Sequence, residues 1–306
     1  MKLVVYSKGG NPQGWLDGLH AALPWAEAWA WTPGSPPADY ALVWMPPQQL
    51  LDEQAGLKAI FNMGAGVDAL LRMRLPAGVP LVRLEDAGMA VQMAEYVCHA
   101  LIGYYRGLGG YAAQQCEARW QALPVPRRAD FTVGVMGLGV LGQRVARAVQ
   151  GFDFPVLGWS RSARELPGVQ GFHGAEQFEA FLAQTRVLVN LLPLTPETEG
   201  IIDRRLLASL PRGAFVINLA RGRHVVEDDL LAAIADGQIA GATLDVFREE
   251  PLPPQHPLWR CPQVTITPHI SGQTLEAESL AQILGKIRAL GRGEAIGGVV
   301  DTGRGY

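Results

Sequence analysis

Apolar residues recur along the first third of the chain in short runs separated by mixed segments: KLVVY at residues 2–6, YALVW at 40–44, KAIFNM at 58–63 and VPLVRL at 79–84. Such runs, rich in β-branched and aromatic residues, predict strands with helices between them. From 89 to 120 the spacing becomes helical and alanine-rich, which predicts a long connecting helix divided by its glycines. The prolines and clustered charge of QALPVPRRADF, 121–131, predict a loop. Six further runs follow: FTVGVMG (131–137), FPVLGWS (154–160), TRVLVNLLP (185–193), GAFVINLA (213–220), IAGATLDVF (239–247) and QVTITPH (263–269). Continuously apolar strands alternating with helical segments predict a parallel sheet covered on both faces. Residues 274–290 predict a closing helix, and the final GGVVDTGRGY carries no strong pattern.

A chain of 306 residues exceeds the usual size of one core, so two domains are expected. With 26 basic residues, 29 acidic ones and no basic run, nothing is suited to follow a phosphate backbone, and nucleic acid is not an expected partner. Cys98, Cys116 and Cys261 form no CxxC pair and no metal-ligand spacing, which predicts free thiols, a reducing compartment and no metal. MKLVVYSKGG is too short an apolar start for a signal peptide, and no run reaches membrane-spanning length; a cytoplasmic protein with no membrane partner is expected.

Within FTVGVMGLGVLGQRVARAVQ, Gly137, Gly139 and Gly142 match G-x-G-x-x-G directly after a predicted strand. The helix that follows places Leu141, Val145, Ala148 and Val149 on one face. Gly137 permits the tight turn, Gly139 lets a pyrophosphate approach the backbone, and Gly142 lets helix and strand pack closely; Val140 and Leu141 complete the loop. The helix N-terminus then favours the phosphates. An acid that reads the adenosine ribose is expected about 20 residues on, at the end of the next strand. Ser160, Arg161 and Ser162 stand there instead, with Arg164 close behind. Guanidinium and hydroxyl groups suit a 2′-phosphate that a carboxylate would repel, so NADPH is expected, with NADH weaker.

Ligands of open α/β sheets bind beyond the carboxyl ends of strands. Arg221 follows FVINLA, Glu250 follows ATLDVFRE and His269 follows VTITP. Hydride reduction of a 2-keto acid needs a cation to hold the carboxylate and polarise the carbonyl, and a proton donor for the oxygen. Arg221 and His269 supply these functions, and Glu250 would orient the imidazole and favour its charged form. Asp245, at the end of the preceding strand, is placed to meet the nicotinamide carboxamide or ring.

MGAGVD (63–68), MAEYV (93–97), GVMGLGVLGQRVA, NLLPLTPETEGIID (190–203), FVINLARG, LDVFREEPLP and TITPHISGQT together resemble the D-isomer-specific 2-hydroxyacid dehydrogenase family over most of the chain. That resemblance implies that Arg221 binds substrate, that Glu250 partners the histidine and that His269 is the acid/base. It implies that the Gly64, Ala65, Gly66 loop takes the substrate carboxylate and that Leu192 and Pro193 line the cofactor. WSRS and the closing VVDTGRGY resemble the glyoxylate/hydroxypyruvate reductase branch, as does VWMPP at 43–47, where Trp44 would close over a small 2-keto acid. Met45 departs from the polar residue expected in that loop.

The implied architecture is two Rossmann-like, doubly wound parallel-sheet α/β domains with a cleft between them. Residues 1–99 with 273–306 would form a discontinuous substrate domain and 100–272 the dinucleotide-binding domain, with homodimers formed through the latter. The expected activity is NADPH-dependent reduction of glyoxylate to glycolate or of hydroxypyruvate to D-glycerate. A nucleotide-sensing, corepressor-like binding protein, a dehydrogenase for another 2-hydroxy acid, and formate or phosphite oxidation are the alternatives on the same fold.

Overall fold

The computed structural model describes residues 1–305, so Tyr306, the last residue of VVDTGRGY, lies outside the described residues. Two compact units divide the chain: 1–89 together with 274–306, and 90–273. The first contains strands β1 (Lys2–Ser7), β2 (Glu27–Ala30), β3 (Tyr40–Trp44), β4 (Ala59–Asn62) and β5 (Leu81–Val82), with helices α1 (Gln13–Ala22), α2 (Gln48–Glu53) and α3 (Asp68–Leu71) between them. The strands form one parallel sheet in the order β2-β1-β3-β4-β5. Val4, Ala41, Val43 and Ile60 pack with Leu50, Leu51 and Leu70 of α2 and α3, while the alternating Leu3, Val5, Leu42 and Phe61 are buried on the other face. Burial on both faces is why these strands read as unbroken apolar runs.

The second unit begins with α4 (Met89–Tyr105) and α5 (Leu108–Cys116), separated by Gly107 in the left-handed conformation, φ +65°. The expected domain crossing near residue 100 therefore lies inside α4, whose Met93, Val97 and Leu101 bury themselves against Val133, Val135 and Val187. The chain continues through β6 (Val133–Met136), α6 (Val140–Gln150), β7 (Val156–Ser160), β8 (Val169–His173), α7 (Phe178–Leu182), β9 (Val187–Asn190) and α8 (Arg204–Ser209). It then forms β10 (Ala214–Asn218), α9 (Glu227–Ala235), β11 (Ile239–Leu244) and β12 (Val264–Ile266). These seven parallel strands are ordered β12-β11-β10-β9-β6-β7-β8. α4 and α6 cover one face, while α7, α8 and α9 supply Phe181, Leu206, Leu207, Leu230 and Ile234 to the other. The strand order reverses between β6 and β9, the switch point at which such sheets open a crevice beyond their carboxyl ends.

From 274 the chain returns to the first unit as α10 (Glu276–Gly291), which packs on α1. The tail that showed no pattern of its own pairs with β5: Arg83 N–H donates to Gly298 O and Val300 N–H to Leu81 O, and Val300 joins the core.

Candidate active site

Both sets of residues singled out from the sequence, the cofactor candidates and the catalytic candidates, fall at the carboxyl ends of the second unit's strands. Gly137 follows β6, Ser160 ends β7, and Leu192 and Pro193 follow β9; these three strands are neighbours. Arg221 follows β10, Glu250 follows β11 and His269 follows β12, the next three strands along the sheet. A parallel sheet thus brings the residues after six strands, scattered from 137 to 269, into two adjacent groups along one edge.

At the switch point the glycine loop is held by close packing. Gly137 has φ +98°, and a methyl group on it would lie 2.8 Å from the Leu191 carbonyl oxygen. A methyl at Gly142 would strike the Gly137 carbonyl, whereas one at Gly139 would meet nothing within 4 Å. Backbone crowds the first and third glycines, and open space faces the second, where a phosphate group must approach. Gly139 caps α6 without a side-chain hydrogen bond, and the first turn has no acidic residue, so its N–H groups fit an anion. Val140 is exposed and Leu141 half-buried.

Ser160 is buried and its hydroxyl donates to Ser162 O at 2.8 Å, while Arg161 and Ser162 are exposed. Hydrogen bonds from the Thr195 hydroxyl and the Glu197 backbone, with a smaller contribution from the Arg161 charge, hold the Glu197 carboxyl below its ordinary range. Pro193 O accepts from the Thr198 hydroxyl, and the His224 Nε2 lies 3.2 Å from it.

Arg221 is half-buried and its Nη1 donates to Ala220 O. The next residue, Gly222, lies directly against the Phe247 backbone, which joins the turn after β10 to the segment carrying Glu250. Glu250 Oε1 accepts from Phe247 N–H at 3.0 Å, and Oε2 lies 2.8 Å from His269 Nδ1. Burial alone would raise the Glu250 carboxyl; the hydrogen bonds from His269 and Phe247 and the nearby His269 and Arg221 charges outweigh it and hold it below its ordinary value. An ionised carboxylate only accepts, so Nδ1 carries the hydrogen of this bond and Nε2 is left for chemistry.

His269 has φ +56°, a left-handed conformation costing about 1–2 kcal/mol for a residue with a side chain. Its N–H donates to Asp245 O at 2.8 Å. The wholly buried Asp245 carboxylate accepts from Thr267 Oγ1, Ile270 N–H and Ser271 N–H, gripping the chain on both sides of the histidine. Thr267 in turn accepts from the Tyr96 hydroxyl at 2.6 Å, whose pKa burial pushes up to about 12. Sequence reading passed over Tyr96 and Thr267, whose role depends on how α4 docks.

It also passed over three buried asparagines, Asn62, Asn190 and Asn218, although each ends an apolar strand, as the other site candidates do. Asn190 Nδ2 donates to Asn218 Oδ1, and Asn190 Oδ1 accepts from Leu192 N–H. Asn218 Nδ2 donates to Arg221 O, so the pair shapes the loops bearing Leu192 and Arg221.

In the first unit, Gly64, Ala65 and Gly66 follow β4, and Trp44 ends the adjacent β3. The Trp44 ring lies over Gly64, within 2.5 Å of where a methyl group there would sit. Met45 has φ +46° and is exposed. Among the described residues no group of three or more His, Cys, Asp or Glu is arranged to hold a metal, and no helix is long and apolar enough to cross a membrane.

Residues 98–271 match the family model for the D-isomer specific 2-hydroxyacid dehydrogenase, NAD binding domain. Over 313 aligned residues, covering 100% of both chains, the sequence is 50% identical to glyoxylate/hydroxypyruvate reductase A of Serratia proteamaculans (strain 568). The D-isomer specific 2-hydroxyacid dehydrogenase of Xanthobacter autotrophicus Py2, solved with NADPH and MES, has TM-score 0.95 and 40% identity, covering 100% of this chain and 99% of that one. The NADPH-dependent glyoxylate/hydroxypyruvate reductase of Sinorhizobium meliloti, solved with NADP and sulfate, has TM-score 0.92 and 36% identity at the same coverage. With a model match over more than half its length and a full-length relative at 50% identity, this chain belongs to the D-isomer specific 2-hydroxyacid dehydrogenase family.

Proposed function

We propose that the protein is an NADPH-dependent reductase that places hydride on C2 of a small 2-keto acid, converting glyoxylate to glycolate or hydroxypyruvate to D-glycerate. The observation that carries this reading is the arrangement of Arg221, Glu250 and His269 after three neighbouring strands, beside the strands that bear the glycine loop. Full-length similarity to a named glyoxylate/hydroxypyruvate reductase supports the substrate class, and similarity to NADPH- and NADP-bound structures supports the cofactor.

When bound, NADPH supplies the hydride. The α6 N-terminus and the space over Gly139 suit its pyrophosphate, with Val140, Leu141, Leu192 and Pro193 beside them. Arg161, with Ser162, suits a 2′-phosphate, while Ser160 spends its hydroxyl hydrogen on Ser162 O and shapes the turn that presents them; the chain offers no competing acid at the end of β7. Asp245, expected to meet the nicotinamide end of the cofactor, is wholly buried with its carboxylate on three protein donors, and its role is to hold the segment of His269. Arg221 holds the substrate carboxylate and polarises the carbonyl. His269 holds the transferable proton on Nε2 and gives it to the carbonyl oxygen as C2 accepts hydride, so one proton and one hydride make the hydroxyl and the new C–H bond. Glu250 fixes the imidazole through Nδ1 and stabilises its charge before transfer. Gly64, Ala65, Gly66 and Trp44 are assigned to the substrate.

The protein is further proposed to be a cytoplasmic homodimer whose contact lies on the second unit. Leu108, Tyr111, Trp120 and Val125 are exposed there, and a cavity of about 570 Å³ lies among residues that include Tyr111, Gln114 and Trp120. An apolar surface of this kind is what a subunit contact covers. Light scattering after size exclusion should give a dimer, and Trp120→Glu should give a monomer.

The activity test is the rate of reduced-cofactor loss with glyoxylate and hydroxypyruvate, each with NADPH and NADH. NADPH-dependent turnover of either acid bears the reading out; intact NADPH binding with no turnover of either overturns it.

A further inference from the structure

The loop assigned to the substrate carboxylate is shaped by a residue that does not itself belong to it. Asn62, the last residue of β4, is 2% exposed. Its Nδ2 donates to Gly64 O at 2.8 Å and to Gly66 O at 2.9 Å, spending both amide hydrogens on one loop. Gly64 O also accepts from Leu84 N–H at 3.2 Å, and Met63 O accepts from the Thr274 hydroxyl at 3.2 Å. Three carbonyls of this short loop are therefore drawn onto protein donors.

The consequence follows from peptide geometry. The one cis bond among the described residues is Glu250–Pro251, so the loop peptides are trans, and in a trans peptide the C=O and the next N–H point to opposite edges of one plane. Anchoring the carbonyls of 63, 64 and 66 turns the N–H groups of Gly64, Ala65 and Val67 the other way. Converging N–H groups bind an anion, whereas a single reversed peptide would set a carbonyl oxygen against it.

We infer that Asn62 is a positioning residue for the substrate carboxylate: its carboxamide locks the peptides after Gly64 and Gly66 in the orientation that presents N–H groups to the anion. The inference rests on the reading of the protein as a 2-keto acid reductase and adds to it a residue that sets substrate affinity without touching the reacting atoms. Loop glycines rotate readily once unpinned, so losing the two donors lets both peptides turn.

The test compares wild type with Asn62→Ser, Asn62→Ala and Asn62→Asp, using turnover and calorimetric titration of the NADPH-loaded protein with oxalate, a carboxylate that hydride does not reduce. Asn62→Ala should raise KM for the 2-keto acid and Kd for oxalate together, each about 10- to 100-fold, with kcat and NADPH affinity kept within about threefold. Asn62→Ser retains one donor and should fall between wild type and Ala. Asn62→Asp, which only accepts and so repels both carbonyls, should lose most.

Lower kcat with unchanged KM and unchanged oxalate affinity in the Ser and Ala variants would mean that Asn62 only supports folding, and would overturn the inference. Unchanged KM and kcat in Ala would overturn it as well. A wild-type protein that binds NADPH but neither turns over a 2-keto acid nor binds oxalate would fail at the reductase reading itself, which the wild-type arm exposes before any variant is compared.

Discussion

Replacing Glu250 by glutamine probes the acid/base pair with the least change of shape. The carboxylate accepts two hydrogens, one from Phe247 N–H at 3.0 Å and one from His269 Nδ1 at 2.8 Å. A glutamine has one acceptor oxygen, so either the backbone donor or the imidazole must face an amide NH₂, and the negative charge is lost in both cases. A hydrogen bond to a charged group is worth about 1.5–3 kcal/mol. The side chains here are 46% and 38% exposed, and solvent screening reduces the figure to about 1–2 kcal/mol. Expressed in the transition state, that is a fall of about 5- to 30-fold in kcat/KM. The assay is absorbance loss of NADPH with hydroxypyruvate at neutral pH, with NADPH affinity measured separately by fluorescence and the fold checked by thermal melting. NADPH affinity should hold and the melting temperature should fall only slightly, by the stability the carboxylate contributes, because Glu250 belongs to an exposed segment after β11. Wild-type kcat/KM in Glu250→Gln would refute the reasoning, as would equal losses of turnover and cofactor binding.

Because Glu250 is held below its ordinary value, its contribution to stability is full above about pH 4.5 and is lost as pH falls through its folded value; the melting difference between wild type and Glu250→Gln should stay constant from pH 7 to 5 and shrink below that. Gly142→Ala sets a methyl against the Gly137 carbonyl and should cost about 1–3 kcal/mol in melting experiments, together with most of the NADPH affinity. Met45→Asn relieves a left-handed backbone at an exposed position and should stabilise the protein by about 0.5–1 kcal/mol in denaturant titration. Arg161→Ala should weaken NADPH about tenfold and leave NADH unchanged in fluorescence titration; equal effects on both would remove its phosphate role.

The central strands were legible because both faces of each sheet are covered, which leaves β1, β3, β4, β6, β9 and β10 apolar nearly throughout. The edge strands β2 and β8 were not, since EAWA and VQGFH are partly exposed and neither unbroken nor strictly alternating. The long helical stretch proved to be two helices because Gly107 takes a positive φ, a break that the glycines of the region suggested without locating. Val299 and Val300 gain their order from β5, a partner far away in sequence that no local pattern reveals.

In the site, Arg221, Glu250 and His269 stood out because each is a charged or titratable side chain just beyond an apolar run. Asn62, Asn190 and Asn218 carried a weaker form of the same signal, a polar residue closing a strand of AIFN, VLVN or AFVIN type. Neutral side chains attract less notice than charged ones, yet these three determine which way the loop peptides and carbonyls point. The Tyr96–Thr267–Asp245 chain was invisible for a different reason: it joins a helix to a loop that only the tertiary fold brings together.

Hydride transfer to C2 is tested most directly by following the hydride itself. Hydroxypyruvate is incubated with the protein and NADPH carrying deuterium at the transferred position, and the product is analysed by mass spectrometry and chiral chromatography, with His269→Ala in parallel. The product should be D-glycerate with one deuterium at C2, formed one for one with cofactor consumed, and the variant should bind NADPH normally but form the product at least about 100-fold more slowly. Deuterium lost to solvent or another product, or full-rate labelled D-glycerate from His269→Ala, would contradict this mechanism.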